Sequence, residues 1–466
     1  MYKILINAYA CCPEMGSEQG MAWNFISRLA AFCELFVITE SEYRERNKAA
    51  VIPADNGLNT YGLSREQCER IHFRFVDAGE TEEDSERIRR MCWNQGDWRF
   101  YKYYAEWQRK VVGVAREIIE SQEKEGHGID VMHQLNMAGF REPGMLYEIN
   151  DERRKQGKRR IPLVWGPMTG FGSIPYAFMR PGGVKFTAFY LLKNVLNVLQ
   201  LKYHPRVRRM IAASERLLGC TPEMCEGMKR MHHVEVEHLN ETGCNELSDG
   251  EGCGRMYEDE KFRIVWVGRF IYTKQLELAL KTVAHLRDMR DMEFHIVGKA
   301  FDDAETERMK GVADKLGIAD RCVWYGQIAN RDVQRLMRSG SVFFFTSIFE
   351  ATSTVVLEAI QNRLPIVCFD RCGFGPLVDE SIGRKVECVT PEKAVADFAY
   401  VIRMLHDNRD VLSRMSMNCE AKQRELGWSR KIERLMEVYV EVIKKNRNCI
   451  NHGCDGDSDE MKGQKI

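Results

Sequence analysis

Two pairs of charged residues, each just past a short apolar run, are the strongest candidates for chemistry in this 466-residue chain. The run IVWV ends at Gly268 and continues Arg269-Phe270-Ile271-Tyr272-Thr273-Lys274, so two fixed positive charges follow what reads as a strand. Such charges stabilise a diphosphate leaving group, whose negative charge grows as its bond to a sugar breaks, and they do so without a metal ion. Taken alone, Arg269 and Lys274 read equally well as surface cations on a solvated loop. Farther on, Glu350 and Glu358 flank Ala351-Thr352-Ser353-Thr354-Val355-Val356-Leu357. A helix beginning near Thr352 would offer its free N–H groups and dipole to a phosphate around Ser353, Thr354 and Val355. Glu350 would precede that helix, and Glu358 would lie about two turns inside it, placed to accept hydrogen bonds from ribose hydroxyls. Singly, Glu350 is also an ordinary N-terminal capping acid and Glu358 an ordinary helix-face carboxylate.

The order and spacing G-R-x4-K followed by E-x7-E resembles the donor half of family 4 retaining glycosyltransferases. The resemblance continues through LEAIQNRLPIVCFDRCGFGPLVDE and GWSRKIERLMEVYVEVI and covers most of residues 261–445. It implies the GT-B fold, two Rossmann-like domains facing across a cleft, with a closing helix that crosses back onto the first domain. It further implies a sugar nucleotide held by Gly268, Arg269, Lys274, Ser353, Thr354, Val355 and Glu358, with Glu350 gripping donor-sugar hydroxyls rather than acting as a nucleophile. Backbone groups at Gln327 and Ile328, past Val323-Trp324-Tyr325, are expected to read the base, with uridine as the default.

In the N-terminal half the resemblance is looser. The loop Pro13 to Trp23 carries Gly16 and Gly20, whose missing side chains let backbone approach a ligand or simply make a turn. Asp130 to Asn136 is similar to a strand-end region in which His133 faces the reacting sugar, making His133 a catalytic candidate beside Glu350, Arg269 and Lys274. On the acceptor side stand Asn136, Gly166, Thr169 and Gly170, the last three in a glycine-rich strand exit that serves equally as structural punctuation. Glu241-Thr242-Gly243 is similar to the family's hinge tripeptide.

These residues need a scaffold, and the hydropathy pattern supplies one. Short apolar runs, Ile4 to Ile6, Leu35 to Ile38 and Pro162 to Trp165, alternate with helical patterns such as Met21 to Phe32, which indicates βα units and a parallel sheet. The pattern restarts after a polar stretch, with strands Arg263 to Val267, Glu293 to Val297, Val323-Trp324, Val342 to Phe345 and Ile366 to Phe369. Between them lie amphipathic helices at Leu276 to Met289, Ala304 to Leu316, Asn330 to Ser339 and Val355 to Asn362. Two doubly wound α/β domains follow. The first spans 1–240 on the acceptor side, a hinge spans 241–260, and the donor domain spans 261–427. The closing helix covers 428–445, and a polar tail covers 446–466. Ligands of such sheets bind beyond the carboxyl ends of the strands, so the cleft is the expected site.

Composition narrows the rest. Lys plus Arg and Asp plus Glu balance at 68 each, so no global field favours nucleic acid. Sixteen cysteines contain no C-x-x-C ligand pair, and with no secretory leader pattern at the N-terminus they read as reduced thiols of a cytoplasmic protein. No D-x-D metal site is credible: Asp302-Asp303 lacks the spacing, and DGDSDE at 455–460 lies in the polar tail. Neither a cofactor nor a metal is expected, only the nucleotide sugar, with a UDP-sugar as default, and a saccharide or lipid-linked saccharide acceptor in cell-surface polysaccharide synthesis. Residues 176–216 hold many cations and one acid, Glu215, among aromatic and aliphatic residues, which suits either a solvated helical face or contact with the cytoplasmic face of a membrane. Three rivals stand beside the transferase: a sugar-nucleotide epimerase of the same fold, a catalytically silent partner subunit, and a dinucleotide oxidoreductase. The last would want a G-x-G-x-x-G that Gly16-Ser17-Glu18-Gln19-Gly20 does not supply.

Overall fold

The computed structural model describes residues 1–93, 98–137, 139–245, 261–351 and 353–451. Its first sheet has seven parallel strands: β1 Tyr2–Ala8, β2 Cys33–Glu40, β3 Ile71–Val76, β4 Val131–Asn136, β5 Leu163–Met168, β6 Arg216–Gly219 and β7 Glu237–His238. Their spatial order is β3-β2-β1-β4-β5-β6-β7. The second sheet has six: β8 Phe262–Val267, β9 Met292–Val297, β10 Cys322–Gly326, β11 Val342–Phe345, β12 Ile366–Phe369 and β13 Gly383–Val386, in the order β10-β9-β8-β11-β12-β13. Helices link the strands and cover the sheets, so strands such as β4, β5 and β11 are buried on both faces; β5 and β11 read as near-continuous apolar runs, whereas β4 carries His133, Gln134 and Asn136. This is the expected pair of doubly wound domains.

Two placements differ from expectation. The closing helix runs Trp428–Asn451, so 446–451 are helical rather than tail, while 452–466, including DGDSDE, lie outside the described residues. Of the hinge, 246–260 also lie outside them. What is described is a knot of two crossings: Cys244 N–H donates to the carbonyl of Leu426 at 2.9 Å, and Trp428 N–H donates back to that of Cys244 at 3.1 Å. The second difference is that Ile174, Phe178 and Met179, assigned by position to the first domain, pack in the core of the second, where Phe178 meets Phe369 edge to face at 5.6 Å. The first domain thus reaches across the cleft.

The closing helix docks where its apolar face requires. Trp428, Ile432, Leu435, Val438, Tyr439 and Val442 share a core with β1, β2 and the helix Ser17–Leu29. Phe25 lies edge to face with Trp428 at 5.2 Å, and the Arg28 guanidinium stands over the same indole. Buried thiols behave as small apolar groups, and burial pushes the Cys33 thiol up to about 12.

Candidate functional site

The chain leaves β8 for β9 on one side and later returns to β11 on the other, so the order of the second sheet reverses between β8 and β11. Loops at such a switch point diverge and leave a crevice at the carboxyl ends of the strands. Here the loop after β8 and the loop after β11 are pinned together. Ile348 N–H donates to the carbonyl of Thr273 at 2.9 Å, and the Thr346 hydroxyl donates to that of Lys274 at 2.8 Å while accepting from the Trp266 indole at 2.9 Å. Gly298, at the end of β9 with φ +126°, completes the close packing, since a Cβ there would stand 1.9 Å from the carbonyl oxygen of Gly268. The motif HIVG repeats the strand-then-glycine pattern of WVG and was the signal for it.

Between these loops lies a cavity of about 570 Å³ lined by Gly268, Arg269, Lys274, Glu350, Ser353, Thr354 and Val355. Seven residues singled out by type and spacing therefore meet in one place. Lys274 pairs with Glu350, both largely buried, and its ammonium lies 5.4 Å from the centre of the Phe345 ring. Arg269 makes no ion pair among the described residues; its guanidinium stands over Phe301 at 5.6 Å. The helix Thr354–Gln361 opens into this cavity with buried Ser353 at its N-cap, and Ser353 makes no side-chain capping bond. Its start falls slightly later than Thr352, which itself lies outside the described residues. First-turn N–H groups have no intrahelical acceptor and carry the positive end of the dipole. Together with Arg269 they turn positive charge toward this cavity.

Glu358 sits in this helix, accepting a hydrogen bond from the Asn330 amide at 3.2 Å. Burial raises its carboxyl above the usual range, opposed by hydrogen bonds from Asn330 and Gln334. Gln327 and Ile328 follow β10, the outer strand; Gln327 is exposed and Ile328 packs against the domain core, with Trp324 edge to face with Phe270 at 5.9 Å. A separate cavity of about 260 Å³ behind the Arg269 to Lys274 loop is unsuited to a pyrophosphate. Its cations Lys281 and Arg308 are already paired, with Glu277 and with Glu277 and Glu305 respectively.

The first domain closes the cleft with residues that local spacing did not reveal. Tyr190 and Lys193, on the helix Val184–Tyr203, line the donor-side cavity, and the Lys193 ammonium stands over Phe349 at 5.1 Å. Burial, with Arg141 nearby, draws the Lys193 pKa down. A neighbouring cavity of about 210 Å³ has Thr169 and Gly170 on one wall and Glu350, Arg371 and Cys372 on the other. Arg371 donates to the carbonyl of Ser173, and Glu223 accepts from Cys372 N–H at 2.9 Å. Arg371 follows the strand of the FDRCGFG segment, and that strand-to-glycine exit was its signal. Thr169 and Gly170 are thus at the cleft.

Five other candidates in this domain are placed differently. His133 does not face a reacting sugar: it is fully buried in β4, with Nε2 2.7 Å from the carbonyl of Gly166 and Nδ1 2.6 Å from the hydroxyl of Tyr439 on the closing helix. Burial holds the imidazole neutral, down at about 4, so Nε2–H donates to Gly166 and Nδ1 accepts from Tyr439. Asn136 is also fully buried, and it brackets the β1 exit loop by donating to the carbonyl of Ala10 at 2.8 Å and accepting from Ala10 N–H. Gly166 lies inside β5 at φ +128°, where a Cβ would meet the carbonyl of Leu218 at 2.1 Å. Its glycine serves the sheet. Gly20 serves its own loop, since a Cβ would stand 2.1 Å from the Met15 carbonyl, whereas Gly16 has open space; neither lines the two cleft cavities. Asp302, discounted as a metal ligand, caps the helix Asp303–Lys315 by accepting from Glu305 N–H at 2.8 Å.

Residues 257–424 match the family model described as glycosyl transferases group 1. The matched stretch coincides with the second domain. Among curated relatives, an alpha-D-kanosaminyltransferase of Streptomyces kanamyceticus is 25% identical over 222 residues, 45% of this chain and 56% of the relative. The chain spans about half the length of that relative. Two solved structures share the whole architecture. Sucrose-phosphate synthase from Thermosynechococcus elongatus has a TM-score of 0.57 at 14% identity, over 96% of this chain and 100% of that one. Anabaena HepE in complex with UDP has a TM-score of 0.54 at 11% identity, over 95% and 100%. The arrangement is the GT-B fold, two Rossmann-like domains facing across a cleft.

Proposed function

We propose that the protein is a retaining glycosyltransferase that moves a sugar from a nucleotide diphosphate, UDP by default, to a saccharide or lipid-linked saccharide of the cell surface, on the cytoplasmic side. One observation carries this reading: Arg269, Lys274 and the N-terminus of the helix Thr354–Gln361 border one cavity at the switch point of the group 1 domain. That is the electrostatics a departing diphosphate needs, and it supports a reaction in which no metal bears the charge. Glu358 would accept from ribose hydroxyls. Glu350 would exchange part of its hold on Lys274 for donor-sugar hydroxyls once phosphate competes for the ammonium. The acceptor oxygen, entering past Thr169 and Gly170, would attack the anomeric carbon from the face the diphosphate leaves, so configuration is retained.

The test is a thermal-shift screen of nucleotide sugars, because a ligand that binds only the native state raises apparent stability. This is followed by turnover of the best donor with saccharide acceptors, with and without a chelator. The expected result is stabilisation by a UDP-sugar and transfer with an unchanged anomeric configuration in the presence of chelator. Stabilisation by nicotinamide dinucleotide alone would overturn the assignment. Conversion of the donor sugar without any acceptor would make the protein an epimerase, and tight donor binding with no turnover would make it the silent subunit.

A further inference from the structure

The helix Val184–Tyr203 turns an apolar face to solvent. At about 100° of rotation per residue, its twenty residues divide into two opposite faces. The face turned to the protein carries Lys193, Asn194, Asn197 and Gln200 beside the apolar Phe186, Tyr190 and Leu201, and Arg141 is hydrogen-bonded to both Asn197 and Gln200. The face turned away carries Val184, Phe189, Leu192, Val195, Leu199 and Tyr203, of which Val184 is 86% exposed and Phe189 and Leu192 each 60%. A helix that simply covers a water-soluble domain shows the reverse pattern, and contiguous exposed apolar surface on this scale marks a contact site.

The helix also spans the cleft. Near its start Phe186 and Tyr190 pack against the second domain, with Phe186 4.4 Å from the Tyr272 ring, while Leu201 near its end is in the core of the first. Its inward face supplies Lys193 to the donor-side cavity. The apolar stripe therefore runs along the outer lip of the cleft.

Charge selects what covers it. From Tyr176 to Ser214 the chain holds seven cations and no acid. Among the described residues Arg180, Lys185, Lys202 and Arg208 pair with no acid, and all four are exposed. Lys185 and Lys202 fall on the apolar face itself, one at each end. A second copy docking through this face would set those cations against their own kind, whereas an anionic surface neutralises them. No described helix is long and apolar enough to cross a membrane, so the helix lies on a surface rather than spanning it.

We propose that the apolar face of Val184–Tyr203 lies in the headgroup region of an anionic lipid bilayer, with Lys185 and Lys202 on lipid phosphates. Resting on the transferase reading, the acceptor is then lipid-linked and reaches the cleft along that surface.

The experiment is flotation of the full chain with vesicles of phosphatidylcholine alone or mixed with phosphatidylglycerol, at low and high salt, alongside its oligomeric state in solution. The protein should float with the anionic vesicles and partition about tenfold less onto phosphatidylcholine or at high salt. Leu192→Glu with Val195→Glu should reduce partition about a hundredfold, while leaving the far-ultraviolet circular dichroism and nucleotide-sugar thermal shift unchanged. The proposal is overturned if the wild type stays in solution with every vesicle, or if the double variant floats as well as the wild type. It is also overturned if the same substitutions dissolve a dimer that binds no vesicle, which would give the face to a second copy. Flotation without any nucleotide-sugar shift would leave the membrane surface standing and remove the lipid-linked acceptor.

Discussion

The loops after β8 and β11 and the strands β4 and β5 were both marked by chemically suggestive residues, and the structure treats them in opposite ways. Arg269, Lys274, Glu350 and Ser353 all border one cavity. His133, Asn136 and Gly166 are buried in the first sheet, and the two polar side chains among them are engaged with neighbouring protein groups. The difference lies in where each residue stands on its strand. Past the carboxyl end, a side chain has no sheet neighbour to satisfy and is available to a ligand. Within a strand buried on both faces, a polar side chain must find a protein partner or pay for desolvation, so a histidine there becomes a bracket.

The widest separation between the two regions should come from Lys274→Ala. It removes the cation and leaves the Glu350 carboxylate alone facing the diphosphate, so kcat/KM should fall about a thousandfold, roughly 4 kcal/mol of transition-state stabilisation. The urea midpoint should barely move. A loss below tenfold would mean that Arg269 and the helix tip suffice. Gly166→Ala is the mirror image: its Cβ would meet the Leu218 carbonyl at 2.1 Å, and φ +128° strains any side chain. We expect a loss of about 3 kcal/mol or more in unfolding free energy, with unchanged donor affinity in the protein that remains folded. Weakened donor binding at full stability would return Gly166 to the cleft.

Much of this division was readable beforehand, and the unread part has identifiable reasons. The helix Asn330–Ser339 has the bounds its periodicity predicts, and the two strand exits that build the donor-side cavity carry their charges within a few residues of the strand end. β6, β7 and β13 have only four, two and four residues, too few for a period to show. The buried face of Phe100–Lys124, with Tyr104, Trp107, Val111, Ala115 and Ile118 at helical spacing, was legible but was not identified. Lys193 and Tyr190 are another matter. They reach the donor cavity because residues 174–190 cross to the other domain, and no local pattern encodes that long-range packing. His133 was misplaced for a related reason: β4 is buried throughout, so its sequence has no alternation to say which neighbour the imidazole meets.

The bracket role of His133 has a signature in pH. The imidazole is held neutral in the folded protein, down at about 4, against about 6.5 when unfolded. Between these values the unfolded chain binds a proton that the folded one does not, so stability rises with pH across this window. His133 should therefore withdraw on the order of 3 kcal/mol as pH falls from about 6.5 to about 4, a limb that His133→Gln should flatten relative to the wild type. Equal slopes in the two proteins would refute a neutral buried imidazole. Donor affinity should be the same in both, which a catalytic His133 would not allow.

The smallest expected effect tests the donor side at its least charged contact. Glu358 lies about one turn inside its helix and already accepts from Asn330, so it does not face the diphosphate directly. If it receives ribose hydroxyls, Glu358→Gln keeps the shape and replaces one acceptor oxygen with a donor. One charge-assisted hydrogen bond is then weakened and a second is misdirected. That corresponds to about tenfold in the dissociation constant of a UDP-sugar. The change should appear in KM more than in kcat, because ribose is gripped equally before and during transfer. A loss confined to kcat would instead place Glu358 against the reacting centre and move the nucleoside to another part of the cleft.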